Sequence, residues 1–348
     1  MKKYVVFLIS LSCLVGLFSC TTDVDLYCDY KDVPIIYGMI DAYADTNFVK
    51  ITKAFCGSND NPINANEVAL ISDSSNYPCK LDVRIVELKA NYGQTYNPTG
   101  RIFVLDTLTI HDKNEGVFYS PDQLLYYTTE RFKTNNGGDK YKYKLVVVKP
   151  DGDTVTAVTT PVGGNAAILS ASASFQAAHS EATNRLLFRS SPEGVLYDFK
   201  MQFNYREQHV GQEMVRKHVS WSYGARPLSA YEKATGSEDL YYLYYSVNTL
   251  FGSLSNAIGN DTVWDESHPN VIRHIDDFVI TMSVGGRELY ESYEMSNVIE
   301  NGYMVANFSN IDGGYGLFSS RVNVVRTIRI SASTKLDLFK MPWGFVEE

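Results

Sequence analysis

The sequence predicts a mainly β protein built from two consecutive β-rich domains. Short runs in which apolar and polar residues alternate recur along the 348-residue chain, and a period of two is the spacing of side chains on one face of a strand. Polar loops with glycine or asparagine separate these runs. Two segments, both in the second half, repeat apolar residues at helical spacing. We therefore expect sheets with one or two short helices.

The first predicted domain covers residues 33–162. Residues 141–147 alternate large apolar and basic side chains, and the alternation resumes in residues 154–158 after an Asp-Gly turn. Such a turn predicts a hairpin, because glycine adopts positive φ without steric cost. Asp151 and Asp153 would also suit a calcium loop, but the other ligands of such a loop are missing. Further predicted strands are residues 34–40, 48–55, 81–88, 101–110 and 116–119.

These runs amount to about seven short strands, which is the number typical of an immunoglobulin-like β-sandwich. We therefore predict that fold for the first domain. Residues 161–166 contain Pro161, Gly163 and Gly164 and look like the connection to the second domain.

The second predicted domain covers residues 163–348. Phe199, Met201, Phe203 and Tyr205 alternate with polar residues, which predicts a strand with one apolar face. Further strands are predicted at residues 215–223, 278–284 and 321–330.

Two helices are predicted within this domain. Ser237 can cap a helix, and apolar residues recur at helical spacing from Leu240 to Ile258. The tyrosines of residues 241–245 favour a strand locally. Residues 287–297 form the second, shorter helix candidate.

The N-terminus carries a targeting signal. Lys2 and Lys3 precede an apolar run over residues 4–18, and this run is shorter than the roughly 20 residues that span a bilayer. Ser19 and Cys20 follow, an arrangement that resembles the lipobox of bacterial lipoproteins. The resemblance implies a signal peptide at residues 1–19, fatty acylation of Cys20 with chains such as palmitate, and an acylated tether at residues 20–32. An ordinary signal peptide is the alternative.

The residues that follow Cys20 indicate the cellular location of the protein. Thr21, rather than Asp, follows the cysteine, which resembles lipoproteins sent to the outer membrane. Asp23 and Asp25 resemble the export tether of Bacteroidetes surface lipoproteins. We expect a lipid-anchored outer-membrane protein at the cell surface, with a periplasm-facing orientation as the alternative. The net charge of −9 argues against nucleic acid as a partner.

Three cysteines remain after the signal peptide and Cys20, namely Cys28, Cys56 and Cys79. An oxidising compartment allows one disulfide, and Cys56 with Cys79 is the first candidate because both lie in the first domain between apolar runs. Three unpaired thiols are the alternative.

Features from both halves together resemble an uncharacterised outer-membrane lipoprotein family of Bacteroidetes. They are the lipobox, the run from Tyr143 through the Asp-Gly turn to Pro161 and Val162, then Asp277-Phe278-Val279, Tyr290, Tyr293 and the stretch from Ser309 to Phe318. The resemblance covers nearly the whole mature chain. It implies no known catalytic residue.

Local signatures of common enzymes do not occur in the sequence. It lacks G-x-S-x-G, H-E-x-x-H, C-x-x-C and the phosphate-binding loop. Two histidine pairs, His209 with His218 and His268 with His274, have too few further ligands to predict a metal site. We therefore name no catalytic residue, metal or cofactor.

Aromatic residues in loops are the candidates for ligand binding. Trp264 lies in a polar stretch, and Tyr315 stands between Gly314 and Gly316, so both rings could serve as platforms for sugars. The alternative is that tyrosine simply suits half-buried strands. The stretch 310–320, NIDGGYGLFSS, precedes a strand pattern and is predicted to be a wide turn or bulge with Phe318 pointing inward.

The sequence thus favours a non-enzymatic binding or structural lipoprotein that is accessory to glycan uptake at the outer membrane. Expected partners are the membrane itself through the lipid, and a polysaccharide, an outer-membrane transporter or a surface protein. The alternatives are a subunit of an adhesin or fimbria-like assembly and, third, a polysaccharide hydrolase whose site residues are scattered along the chain.

Overall fold

The structure is a computed structural model that describes residues 32–54, 75–91, 95–111, 122–135, 138–169, 174–175, 183–258, 270–300 and 308–347. These residues form two β-sandwiches and three short α-helices. The prediction of a mainly β protein with two β-rich parts is confirmed.

Eight strands from the first part of the chain build the first sandwich. They are β1 Pro34–Ile40, β2 Asn47–Lys53, β3 Asp82–Asn91, β4 Asn97–Val104, β5 Asp106–Ile110, β6 Gln123–Thr128, β7 Asp139–Val148 and β8 Thr154–Thr159. One sheet has the order β1-β2-β6-β5 and the other β8-β7-β3-β4. This is the A-B-E-D and G-F-C-C′ order of an immunoglobulin-like sandwich.

Alternating inward residues of both sheets fill the core of this sandwich. Ile36 and Val49 come from one sheet, and Val83 and Leu145 from the other. The predicted Asp-Gly hairpin joins β7 to β8, with Gly152 at φ +91°. Asp151 and Asp153 contact the Lys149 ammonium at 2.9 and 3.4 Å, so both carboxylates take part in the turn.

One predicted strand of this sandwich is two strands. The run 101–110 divides at Leu105, whose side chain is buried and whose amide donates to the Val83 carbonyl. Before this residue the chain pairs with β3, and after it with β6. The run therefore crosses from one sheet to the other, which an apolar pattern alone does not indicate. The predicted strand 116–119 lies outside the described residues.

Eleven further strands follow in the described part of the chain. They are β9 Ala167–Ile168, β10 Ser174–Phe175, β11 Thr183–Arg189, β12 Leu196–His209, β13 Val215–Ser222, β14 Arg226–Pro227, β15 Glu232–Lys233, β16 Leu240–Ser246, β17 Val271–Gly285, β18 Ile311–Asp312 and β19 Tyr315–Ile330. The helices are α1 Val247–Ile258, α2 Arg287–Glu300 and α3 Ala332–Phe339. The second sandwich packs β13-β12-β17-β19 against β15-β16-β11-β9.

The first helix begins later than the sequence predicts. Residues 240–246 form β16, which pairs with β11 along its whole length, and the helix begins only at Val247. Leu243 and Tyr245 point into the core while Tyr244 is exposed, so the tyrosine-rich run has the alternation of a strand. Local β-propensity and pairing with β11 therefore prevail over helical spacing. The shorter helix is present as α2.

Strand β19 joins the two sandwiches. Its first part, Tyr315 to Ser320, runs parallel to β1, and its second part, Arg321 to Ile328, runs antiparallel to β17. Strand β18 pairs with β8 on the opposite sheet. Residues from the end of the chain thus complete the immunoglobulin-like sandwich, and Ile311 and Phe318 belong to its core.

The connection between the sandwiches is packed in place. Val162 is fully buried, and its amide donates to the Ser320 hydroxyl at 2.8 Å. The Tyr43 hydroxyl accepts from the Gly164 amide at 2.9 Å and donates to the Gly164 carbonyl at 3.2 Å. Residues 161–166 therefore contact both the first sandwich and β19.

Candidate functional site

The glycine-rich stretch 310–316 shapes the start of β19. The Asn310 side chain donates to the Phe318 carbonyl at 2.7 Å and accepts from the Phe318 amide at 2.9 Å. Gly313 has φ +81° between β18 and β19, a conformation that favours glycine. Phe318 is fully buried, as predicted. The stretch is therefore a turn that starts a strand.

This turn leaves Tyr315 on the outer face of the sheet, where its side chain is 59% exposed. In the neighbouring strand, Tyr37 lies two residues past the position opposite Tyr315 and is 58% exposed. Side chains at positions i and i+2 of paired strands share a face. The two rings therefore stand on one side of the sheet, close to α2.

A groove of about 460 Å³ lies between these strands and α2. We call it the tyrosine groove, and it is lined by Ile35, Tyr37, Ser292, Met295, Ser296, Phe308, Tyr315, Gly316 and Leu317. No side chain in this set carries a charge at neutral pH. Its chemistry is that of apolar surface with a few hydroxyl groups, which suits an uncharged ligand that combines apolar faces with hydroxyls.

A second and larger depression, of about 720 Å³, lies on the outer face of the second sandwich. We call it the charged cleft, and its lining is Asn204, Tyr205, Arg216, Lys217, His218, Asp276, Asp277, Thr327, Ile328 and Arg329. It extends across β13, β12, β17 and β19. No local sequence pattern predicts this site.

A β-bulge shapes the middle of the charged cleft. The pairing of β12 with β17 shifts between Phe203 and Tyr205, so that Asp276 and Asp277 together face Asn204. Both aspartates lie outside the core, between the buried Ile275 and Phe278. A regular strand would point consecutive side chains to opposite faces, whereas a bulge can bring both to one face.

Both carboxylates have partners within the cleft. Asp276 accepts from the Arg206 guanidinium at 2.6 Å, and Asp277 accepts from the Asn204 amide at 2.7 Å. The side chains of Arg216 and Arg329, by contrast, form no ion pair or hydrogen bond with the described part of the chain. Their guanidinium groups are exposed to solvent and can form the paired hydrogen bonds that bind a carboxylate or phosphate.

Beside the charged cleft, a buried ionic cluster holds the end of the chain. The Glu207 carboxylate accepts from Arg273 Nε at 2.8 Å, and it also contacts Lys217 Nζ and, at 2.9 Å, His209 Nε2. Arg273 in turn donates to the Trp343 carbonyl at 2.6 Å. Burial raises the pKa of Glu207, but these three hydrogen bonds outweigh it and lower the pKa to about 2.

The two histidines of the β12–β13 hairpin point different ways. His209 contacts the buried Glu207, whereas His218 lies opposite Asn204 in the charged cleft. They therefore do not form a pair, and His268 lies outside the described residues. Across the described ranges, no group of three or more His, Cys, Asp or Glu side chains is arranged to hold a metal ion.

The other predicted site residues fall mainly outside the described residues. Trp264, Cys20 and Cys56 lie there, so their roles stay predictions. Cys79 is exposed and forms no disulfide with a residue in the described ranges, and Cys56 lies outside them. Its pairing with Cys56 therefore also stays a prediction. Of the candidates for ligand binding, only Tyr315 has a described position.

The sequence patterns did not identify Tyr37 as part of a groove, nor the charged cleft as a site. Tyr37 occupies a regular position in a predicted strand, and only its pairing with β19 makes it part of a groove. A signal for the bulge did exist, because Ile275 and Phe278 are three residues apart and so break the alternation of β17.

A scan against protein-family models found no match, and neither did a search of curated proteins. Among the described helices, none has the length and hydrophobicity needed to cross a membrane.

Proposed function

We propose that the protein is an outer-membrane lipoprotein that binds an uncharged glycan in the tyrosine groove and supports its uptake. The observation that carries this proposal is the pair of exposed tyrosines, Tyr37 and Tyr315, beside an uncharged groove. Exposed aromatic rings offer flat apolar faces to sugar rings, and nearby hydroxyls can bind sugar hydroxyls.

Hydroxyl groups for this purpose come from Ser292 and Ser296, one turn apart on α2. The Ser296 hydroxyl donates to the Ser292 carbonyl at 2.9 Å, and its oxygen remains able to accept a hydrogen bond. The described residues that line the groove are uncharged, which supports the binding of an uncharged ligand.

Acylation of Cys20 places the protein at the membrane in this proposal. Incorporation of labelled palmitate by cells that express the full chain tests it. Wild-type protein should be labelled and fractionate with outer membranes, while Cys20→Ala should be unlabelled and released. A labelled or membrane-bound Cys20→Ala protein would disprove the anchor.

Glycan binding is tested by electrophoresis of the full chain, in mild detergent, through gels that contain a panel of neutral polysaccharides. At least one polysaccharide should retard the wild-type protein, and Tyr37→Ala/Tyr315→Ala should reduce that retardation about ten-fold or more, as loss of two stacking contacts implies. Tyr244→Ala is the matched control, because Tyr244 is an exposed tyrosine of the second sandwich outside the groove. Retardation that survives the double substitution would reject the groove as the binding site.

A further inference from the structure

The charged cleft lies far from the tyrosine groove. Tyr315 and Arg329 stand near opposite ends of β19, and at about 3.3 Å per residue their backbones are roughly 45 Å apart. A ligand of the tyrosine groove therefore does not occupy the charged cleft.

The basic side chains of the charged cleft fall into two groups, those that have a carboxylate partner and those that have none. Arg206 and Lys217 are engaged by Asp276 and Glu207. Arg216 and Arg329 line the same concave surface and, within the described residues, have no partner. The net charge of the chain is −9, yet neither of these two guanidinium groups has a carboxylate partner among the described residues.

Protection of a sheet edge can explain the exposed positive charge of Arg216 but not that of Arg329. Basic side chains on edge strands discourage pairing with other chains, and Arg216 does lie on the edge strand β13. Arg329 does not, because β19 pairs with β17 and, at Arg329, with β10. The Arg329 side chain is exposed at the cleft but does not protect an edge strand.

Two carboxylates next to the arginines further restrict the class of ligand that fits the cleft. Asp277 and Asp276 are acceptors that can bind hydroxyl groups, which a sugar supplies. A sugar acid matches both features, since its carboxylate suits the guanidinium forks while its hydroxyls suit the aspartates and Asn204.

We infer that the charged cleft binds a glycan that contains uronic acid, with Arg216 and Arg329 binding sugar carboxylates and Asp277 with Asn204 contacting the hydroxyls. The ligand class differs from the uncharged glycan of the tyrosine groove. The protein would thus have two sites for different sugars on one chain.

Titration calorimetry of the full chain in mild detergent tests this inference with an oligogalacturonate of defined length. Its methyl ester is the matched neutral ligand, because it keeps the hydroxyls and loses the charge. Inorganic phosphate is the third probe and offers an anion without a sugar. We expect binding of the oligogalacturonate alone, with affinity that falls as salt rises.

Arg216→Gln/Arg329→Gln should weaken this binding about ten-fold or more, because both charge-assisted hydrogen-bond donors are lost. Arg321→Gln is the control, since Arg321 is an exposed arginine on the same strand outside the cleft. Equal binding of the methyl ester, or unchanged binding by the double variant, would overturn the inference. So would an equal loss in Arg321→Gln, and phosphate binding as tightly as the oligogalacturonate would overturn the sugar assignment.

Both proposals can fail separately. Tyr37→Ala/Tyr315→Ala should bind the oligogalacturonate like the wild-type protein, and Arg216→Gln/Arg329→Gln should keep its retardation by neutral polysaccharide. A loss of oligogalacturonate binding in the tyrosine variant would place that ligand outside the charged cleft.

Discussion

Gly316 packs directly against the backbone of Ile36. A Cβ atom built on Gly316 would stand 2.0 Å from the Ile36 carbonyl oxygen, and the glycine has φ +117°. Strands β1 and β19 can therefore pair here only when position 316 lacks a side chain. This contact joins the last long strand of the chain to the first strand of the immunoglobulin-like sandwich.

Gly316→Ala should consequently destabilise the first sandwich severely. We expect a loss of at least about 3 kcal/mol in the free energy of unfolding, because backbone strain adds to a clash with rigid backbone atoms. Urea denaturation followed by circular dichroism measures it. Gly211→Ala is the control, since Gly211 has φ +76° but open space around it, and should cost only about 1 kcal/mol. Equal losses in the two variants would show that the contact with Ile36 is unimportant.

Asn310 holds the same turn by its side chain. Asn310→Ala removes both hydrogen bonds to the Phe318 backbone and leaves partly buried polar groups without a partner. The free energy of unfolding should fall by about 1–3 kcal/mol. Asn310→Asp keeps an acceptor for the Phe318 amide but sets a second carboxylate oxygen against the Phe318 carbonyl oxygen, where no donor remains, so it should not restore the wild-type stability. Urea denaturation of the three proteins measures the losses, and wild-type stability in either variant would contradict the role of the donated hydrogen bond.

Much of the fold could be predicted because its signals are local. Alternation in Phe199–Tyr205 reports a strand wherever that strand finally pairs, and the Asp151-Gly152 turn encodes its own hairpin. In residues 240–246 helical spacing and β-propensity disagree, and pairing with β11 decides the structure. Local sequence patterns do not show which strands pair when those strands are far apart in the chain.

The pairing of β19 with both sandwiches and the formation of the two sites depend on contacts between residues that are far apart in the chain. Nothing in residues 315–320 indicates that β1, almost 300 residues earlier, is the partner. Exposure of Tyr315 could be predicted from its glycine neighbours, whereas Tyr37 joins the groove only through this pairing. Arg216 and Arg329 meet in one cleft because four strands align, which no local spacing shows.

The buried Glu207 cluster makes stability depend on pH in the acidic range. Folding lowers the pKa of Glu207 from its usual 4.5 to about 2. Above pH 4.5 the ionised carboxylate stabilises the folded state, and this contribution is lost as pH falls through the range from about 5 to 2, because the unfolded state takes up the proton first. A shift of this size corresponds to about 3 kcal/mol.

Glu207→Gln removes this titration. At pH 7 the variant should have a free energy of unfolding about 3 kcal/mol below wild type, and this gap should become small at pH 2, where the wild-type side chain is about half protonated in the folded state and almost fully protonated in the unfolded state. Urea denaturation at pH values between 2 and 7 measures the gap. Glu213→Gln is the control, because Glu213 is exposed in the β12–β13 turn and its curve should parallel wild type. A gap for Glu207→Gln that stays constant with pH would mean that the carboxylate is held by packing rather than by its charge.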